Sequence, residues 1–219
     1  MKKAQKIFLD LLKGGAAAEE YTYYEYAESD SRGQYVDMAP VAPSYLDNLI
    51  MIFAFPEAPA QGANTYFFGS RKSGCDMSLQ INTAGSIVGR YGTGIGNFGI
   101  TPAVGELYSV SIESNIWKCW KADGSGTTQT RTFSEQTFTS DVSYVLFGYN
   151  NNGVIVPTPL RIKGLLVHNP LIGSALVAPA RRNADGKTGF VAGSGGQAVI
   201  FFPSVNGELI LTNKIPKPF

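Results

Sequence analysis

The chain is predicted to be all-β, built from two packed antiparallel sheets and preceded by a short amphipathic helix. Three observations predict this. Roughly a dozen short alternating or aromatic-rich runs are separated by Gly, Pro and Asn turns. Glycine supplies 25 of the 219 residues, and tyrosine and phenylalanine 11 and 13, a mixture suited to pleated surfaces joined by tight turns. No repeat of fixed period is present, which argues against a propeller or solenoid.

The helix is expected over residues 2–13. Ala4, Ile7, Phe8, Leu11 and Leu12 recur on one helical face, while Lys2, Lys3, Lys6, Asp10 and Lys13 occupy the other. Gly14 and Gly15 supply the left-handed stop. A helix this short is marginal alone in water, so Ile7, Phe8, Leu11 and Leu12 must dock, either on their own domain or on another subunit. Residues 1–20 are accordingly read as an anchoring arm and 21–219 as the sandwich. The basic start resembles an export signal only superficially. Asp10 cuts the apolar run after three residues, where a secretory segment needs roughly 7–15. No run approaches the ~20 apolar residues of a membrane helix.

The strands follow in order. Tyr21 to Tyr26 is extended, with aromatic residues on both faces; a turn around Asp30 and Gly33 leads to Gln34–Met38. Leu49 to Phe55 is continuously apolar and closed by Pro56, which predicts a strand buried on both faces. Tyr66–Ser70 and Met77–Ile81 come next, the latter alternating cleanly. Tyr108, Val110 and Ile112 alternate with Ser109, Ser111 and Glu113, predicting a half-buried strand that precedes Ile116–Lys121. Asp123-Gly124 and Asp185-Gly186 are hairpin signals. Ser143–Tyr149, Arg161–His168, Val199–Phe202 and Glu208–Leu211 complete the set.

Composition excludes several function classes. A formal charge of +1, with scattered Lys and Arg, offers no basic stripe for nucleic acid. Charged residues make up 16%, below the ~25% usual in soluble proteins, a composition found in proteins that pack into assemblies and also in ordinary sandwiches. Cys75 and Cys119 fall in separate strands and are expected to be free thiols.

Two motifs carry a family resemblance. Tyr24-Glu25-Tyr26-Ala27-Glu28-Ser29 with Gly33-Gln34-Tyr35-Val36-Asp37 opens the domain. Leu160 to Val167, followed by Pro179 to Phe190, comes near its end. With the intervening Tyr66-Phe67-Phe68-Gly69-Ser70-Arg71, this order resembles the concanavalin A-like (laminin-G-like) jelly-roll domain of bacteriophage virion structural proteins, which also occurs in surface proteins of gut bacteria. The resemblance spans residues 21–213. It departs from the family pattern after Gly189-Phe190, where Val191 stands in place of the usual aspartate. It implies a non-enzymatic virion protein of head or tail, made in the bacterial host cytoplasm. Other virion proteins and copies of itself would be its partners, with the helix as attachment. The alternative it implies is an adhesin for host or mucosal glycan.

Candidate chemistry is sparse. Gly94-Ile95-Gly96-Asn97-Phe98-Gly99 matches a dinucleotide-binding spacing, but Thr101-Pro102 follows where a helix would be required, so a loop is expected. His168 is the sole histidine and by strand parity should share a face with Ile162 and Leu166 at the core edge. No acid-x-acid strand pattern of a glycosidase and no acidic calcium loop is found, and no catalytic residue, cofactor or metal is assigned. Trp117 and Trp120 fall on opposite strand faces, so one should point outward. That ring could stack on sugar or lie beneath a loop. Tyr149, Asn150, Asn151 and Asn152 could contact a glycan or simply form a turn. Trp120, Tyr149 and Asn150 to Asn152 are therefore the candidate glycan or partner contacts.

Overall fold

The computed structural model describes residues 21–30, 33–59, 62–194 and 197–215. The expected helix and its apolar face, Ile7, Phe8, Leu11 and Leu12, lie outside the described residues.

Eighteen strands and no helix are present among the described residues. They are β1 (Tyr21–Glu28), β2 (Tyr35–Asp37), β3 (Asn48–Ala54), β4 (Thr65–Arg71), β5 (Asp76–Ile81), β6 (Ile87–Gly92), β7 (Gly94–Asn97), β8 (Tyr108–Glu113) and β9 (Ile116–Lys121). The second half comprises β10 (Gln129–Thr132), β11 (Val145–Leu146), β12 (Gly148–Asn151), β13 (Val154–Pro157), β14 (Arg161–Asn169), β15 (Gly173–Arg182), β16 (Thr188–Ser194), β17 (Gln197–Val205) and β18 (Ile210–Lys214).

The first sheet runs β10-β9-β8-β3-β14-β15-β16-β17, every pairing antiparallel. β1 joins it by pairing with β14 at Ala27 and Glu28, with β15 at Tyr21 to Tyr23, and with β18. The second sheet runs β7-β6-β5-β4-β11-β2-β17, with β12 beside β4 and β13 paired to β12. β17 belongs to both sheets, pairing with β16 through Phe201 and Phe202 and with β2 through Ser204 and Val205.

The expected strand 143–149 is broken in two. Val145 and Leu146 run antiparallel to β4, the backbone turns left-handed at Phe147 (φ 63°), and Asn150 and Asn151 then run parallel to the same strand. This is the one parallel pairing among the described strands. Gly148 (φ 151°) permits it, because a Cβ there would sit 2.3 Å from the Val156 carbonyl oxygen.

Between the sheets lies an aromatic core. Phe53, Phe55 and Phe67 pack with ring centroids 4.9–5.9 Å apart. Trp117 meets Phe133 at 5.2 Å and Tyr91 at 6.4 Å, both edge-on. Trp117 reaches this position because residue 89 is glycine, where a Cβ would meet the indole at 2.5 Å. Gly94 and Gly96 of the glycine-rich run lie in β7 against Phe133, so packing explains that run.

Three expectations need correction. The strand Tyr108–Glu113 is not half-buried, because Ser109 and Ser111 are 4% and 5% exposed and only Glu113 at its end is exposed. The apolar run at Leu49–Phe55 is not buried on both faces. Leu49, Met51 and Phe53 point into the core, while Ile50 and Ile52 are half-buried on the outer face of the first sheet. His168 does not share a face with Ile162. A register shift between Ile162 and Gly164 changes the parity, leaving Ile162 in the core and His168 exposed.

A buried polar cluster fastens the loop before β3. Asp47 is fully buried and accepts hydrogen bonds from the Tyr144 hydroxyl (2.6 Å), the Ser44 amide (3.0 Å) and Asn169 Nδ2 (2.8 Å). Asn169 Nδ2 also donates to the Ala42 carbonyl at 2.9 Å, tying the end of β14 to the same loop. Neither Cys75 nor Cys119 is in a disulfide, and burial pushes the Cys119 thiol up to about 12.

Candidate functional site: the outer face of the second sheet

Alternation sends Met77, Leu79 and Ile81 of β5 into the core and turns Asp76, Ser78 and Gln80 to the opposite face. Register places Tyr66 of β4 beside Gln80, Arg90 of β6 beside Ser78, and Gly92 beside Asp76. The outer face of this sheet is therefore polar and aromatic where the inner one is apolar.

These side chains order one another. Tyr149 of β12 stacks on Tyr66 with centroids 4.1 Å apart and planes at 25°. The Arg90 guanidinium lies 5.7 Å from the Tyr66 ring centre and donates through Nε to Gln80 Oε1 at 3.1 Å. Arg71 Nε approaches Asp76 Oδ2 at 3.6 Å. Beyond this wall, at the ends of the strands, opens a concavity of about 570 Å³. Its lining is polar or glycine throughout: Arg71, Lys72, Asp76, Thr93, Asn151 and Asn152 supply the functional groups.

Asp76 is the most unusual member. It is only 7% exposed, yet its Oδ1 has no hydrogen-bond partner, and neither has the nearby Ser78 Oγ, which is on the same face of β5. Burial raises the Asp76 carboxyl above its usual value, opposed by the charges of Arg71 and Arg90. Burial likewise raises the Tyr149 phenol. Among the cations, Lys72 is held by Asp141 at 2.6 Å.

The candidate residues from the sequence divide between the two sheets. Asn151 and Asn152 line the concavity, Asn152 in the left-handed region (φ 52°) that asparagine tolerates. Asn150 is nearly buried and closes its own turn, its Oδ1 accepting from the Gly153 amide at 2.8 Å. Tyr149 stands in the wall with its ring 8% exposed, occupied by Tyr66 and not offered as a platform. Trp120 lies elsewhere. It pairs with Ser109 on the outer face of the first sheet, half-buried, while Trp117 fills the core. Arg71, Asp76, Arg90 and Thr93 were not singled out from the sequence. The cluster of Arg71, Lys72 and Asp76 flanking the Ser73-Gly74 turn was the available signal.

A second concavity of about 400 Å³ lies on the outer face of the first sheet, floored by Ile50 and Leu166 and edged by Asn48, Glu113, His168 and Ser174. His168 Nδ1 is 2.9 Å from Ser174 Oγ, but Asn48 separates His168 from Glu113 in register, which puts the carboxylate two strands away. Among the described residues no group of three His, Cys, Asp or Glu side chains is placed to hold a metal.

No family model matches the chain, and no curated protein matches it. Solved structures do. A protein of Bacteroides ovatus ATCC 8483, provisionally described as carbohydrate-binding, is similar over 87% of this chain at 13% identity and a TM-score of 0.56. The chain spans 60% of that protein's length. The heptameric SAP-like pentraxin of Limulus polyphemus matches 70% of this chain and 77% of its own at 11% identity, with a TM-score of 0.42. The botulinum neurotoxin serotype D binding domain matches 68% of this chain and 42% of its own at 9% identity, with a TM-score of 0.39. At these identities the likeness is one of fold, and the first carries it. Nothing among these likenesses points to a phage particle.

Proposed function

We propose that this domain binds a saccharide, non-catalytically, in the concavity formed by the 71–76 hairpin end, the 92–93 turn and the 151–152 turn. The observation that carries the reading is the concavity of about 570 Å³ lined throughout by polar residues and glycine, with Arg71, Thr93, Asn151 and Asn152 at its rim. Sugars present adjacent hydroxyls that carboxylate, amide and guanidinium groups can engage in pairs. The Tyr66, Tyr149 and Arg90 stack gives that array a rigid backing. The provisional description of the Bacteroides ovatus protein agrees with the reading without carrying it.

The test is a glycan array followed by calorimetric titration. Wild type should retain at least one glycan, and Asn151→Ala together with Asn152→Ala should weaken it about tenfold or more, at ~1 kcal/mol per lost hydrogen bond. Retention of no glycan, or unchanged affinity in the double variant, would refute the assignment.

The setting we propose is a phage particle. It rests on the resemblance of the 24–37 and 160–190 motifs and on the apolar pattern of Ile7, Phe8, Leu11 and Leu12. Deleting residues 1–14 should leave a folded domain that no longer enters particles, and normal incorporation of the truncated chain would dismiss the anchor.

A further inference from the structure

Resting on the saccharide-binding reading above, we infer that the sugar held in this concavity carries an anionic group, carboxylate or sulfate, seated on the guanidinium of Arg71. The charges that an occupant can reach there are positive. The side chains of Arg71 and Lys72 are 45% and 41% exposed, whereas that of Asp76, the one acid in the lining among the described residues, is 10% exposed. The Asp76 charge is in turn opposed by two cations, Arg71 and Arg90. An anion entering the concavity therefore meets the cations before it meets the acid.

Arg71 has donors to spare. Among the described residues its one ion pair, with Asp76, brings Nε to 3.6 Å, longer than a hydrogen bond. The Tyr149 phenol also feels the guanidinium charge, but a hydroxyl oxygen can take up only part of a group with five N–H donors. Lys72 Nζ lies 2.6 Å and 2.7 Å from the two oxygens of Asp141. Asp141 is 72% exposed, and a pair so open to water is weak, so an incoming anion can share the ammonium. Strand register adds neutral groups on the same rim. Asn151 pairs with Arg71 in the parallel ladder, and the Asn152 amide donates to the Arg71 carbonyl at 3.0 Å. A guanidinium offers a flat fork of donors that fits two oxygens of a carboxylate or sulfate, and the asparagine amides suit the hydroxyls beside it.

Neutral hexose oligosaccharides, their uronate-containing counterparts and their sulfated counterparts should be titrated against wild type, Arg71→Gln and Asp141→Asn, with thermal melting as the folding control. Wild type should bind one acidic kind about tenfold or more tighter than the neutral sugar, and added salt should erode that preference. The stronger of the two acidic arms identifies the anion. Arg71→Gln should weaken acidic binding about 10- to 100-fold, the loss of hydrogen bonds to a charged group, while the neutral sugar changes little. Asp141→Asn releases Lys72 and should tighten acidic binding about two- to fivefold, a gain that a purely structural role for this rim would not produce. Neutral sugars binding as tightly as both acidic kinds, or acidic binding insensitive to Arg71→Gln, would overturn the inference and leave the saccharide site standing. No binding to any glycan would remove both. If Arg71→Gln does not fold, the acidic-to-neutral ratio of wild type and its salt dependence decide.

Discussion

Replacing Asp47 with asparagine should change how stability depends on pH. The Asp47 carboxyl is fully buried, and burial lifts it from 3.8 to about 6 against the pull of its hydrogen bonds from Tyr144, the Ser44 amide and Asn169. The folded state therefore holds this proton more tightly than the unfolded chain. That contribution to stability is complete below about pH 4 and is lost as pH rises through about 6. Between 3.8 and about 6 the full difference corresponds to about 3 kcal/mol at 1.36 kcal/mol per pH unit. About 2 kcal/mol of it should appear between pH 7 and pH 4.5. The protonated form is accommodated without orphaning the proton, because the Tyr144 hydroxyl also lies 2.6 Å from Met77 Sδ and can turn towards it. Asp47→Asn removes the titration and sets its amide NH2 against that of Asn169, which should cost about 1–3 kcal/mol at all pH values. Urea unfolding of both proteins at pH 4.5, 6 and 7.5 gives the comparison. The advantage of wild type over the variant should grow by about 2 kcal/mol on acidification. A gap constant with pH would show that Asp47 does not titrate as its burial requires.

Gly89→Ala should destabilise by about 1–3 kcal/mol, because its Cβ would meet Trp117 at 2.5 Å, and a lowered melting temperature with altered Trp117 fluorescence would register it. Trp120→Ala should leave glycan affinity and fold unchanged, since Trp120 is on the other sheet from the proposed pocket; a lost ligand would relocate the site. Glu28→Gln should cost less than about 1 kcal/mol in denaturant unfolding. Its 2.6 Å bridge to Arg161 is partly exposed and screened by water, and the β1–β14 backbone pairing beside it remains.

Strands whose apolar and polar residues alternate were evident from the residues alone. Met77 to Ile81 and Tyr108 to Glu113 are strands where the period of two placed them, but their polar faces are covered as well, with Ser78, Gln80, Ser109 and Ser111 each 5% exposed or less. Gln129–Thr132 carries no apolar residue and is a strand only because β9 offers it a free edge. Gly94–Asn97 hid in a glycine-rich run whose glycines make room for Phe133. The break at Phe147 was invisible because its left-handed backbone is imposed by packing the ring in the core, not by a turn residue. The pocket was half visible. Asn151 and Asn152 stood out as a polar run, but Asp76 and Thr93 reach them only through strand register. Parity likewise separated Trp117 from Trp120 but could not tell which sheet Trp120 would face away from.

Because one strand is shared between the layers, neither can peel away while the other survives. Rupturing the Ser204 and Val205 ladder exposes the seam on which Phe201 and Phe202 also depend. Thermal melting should accordingly be all-or-none, with amide exchange at these four positions slowing and quickening in concert.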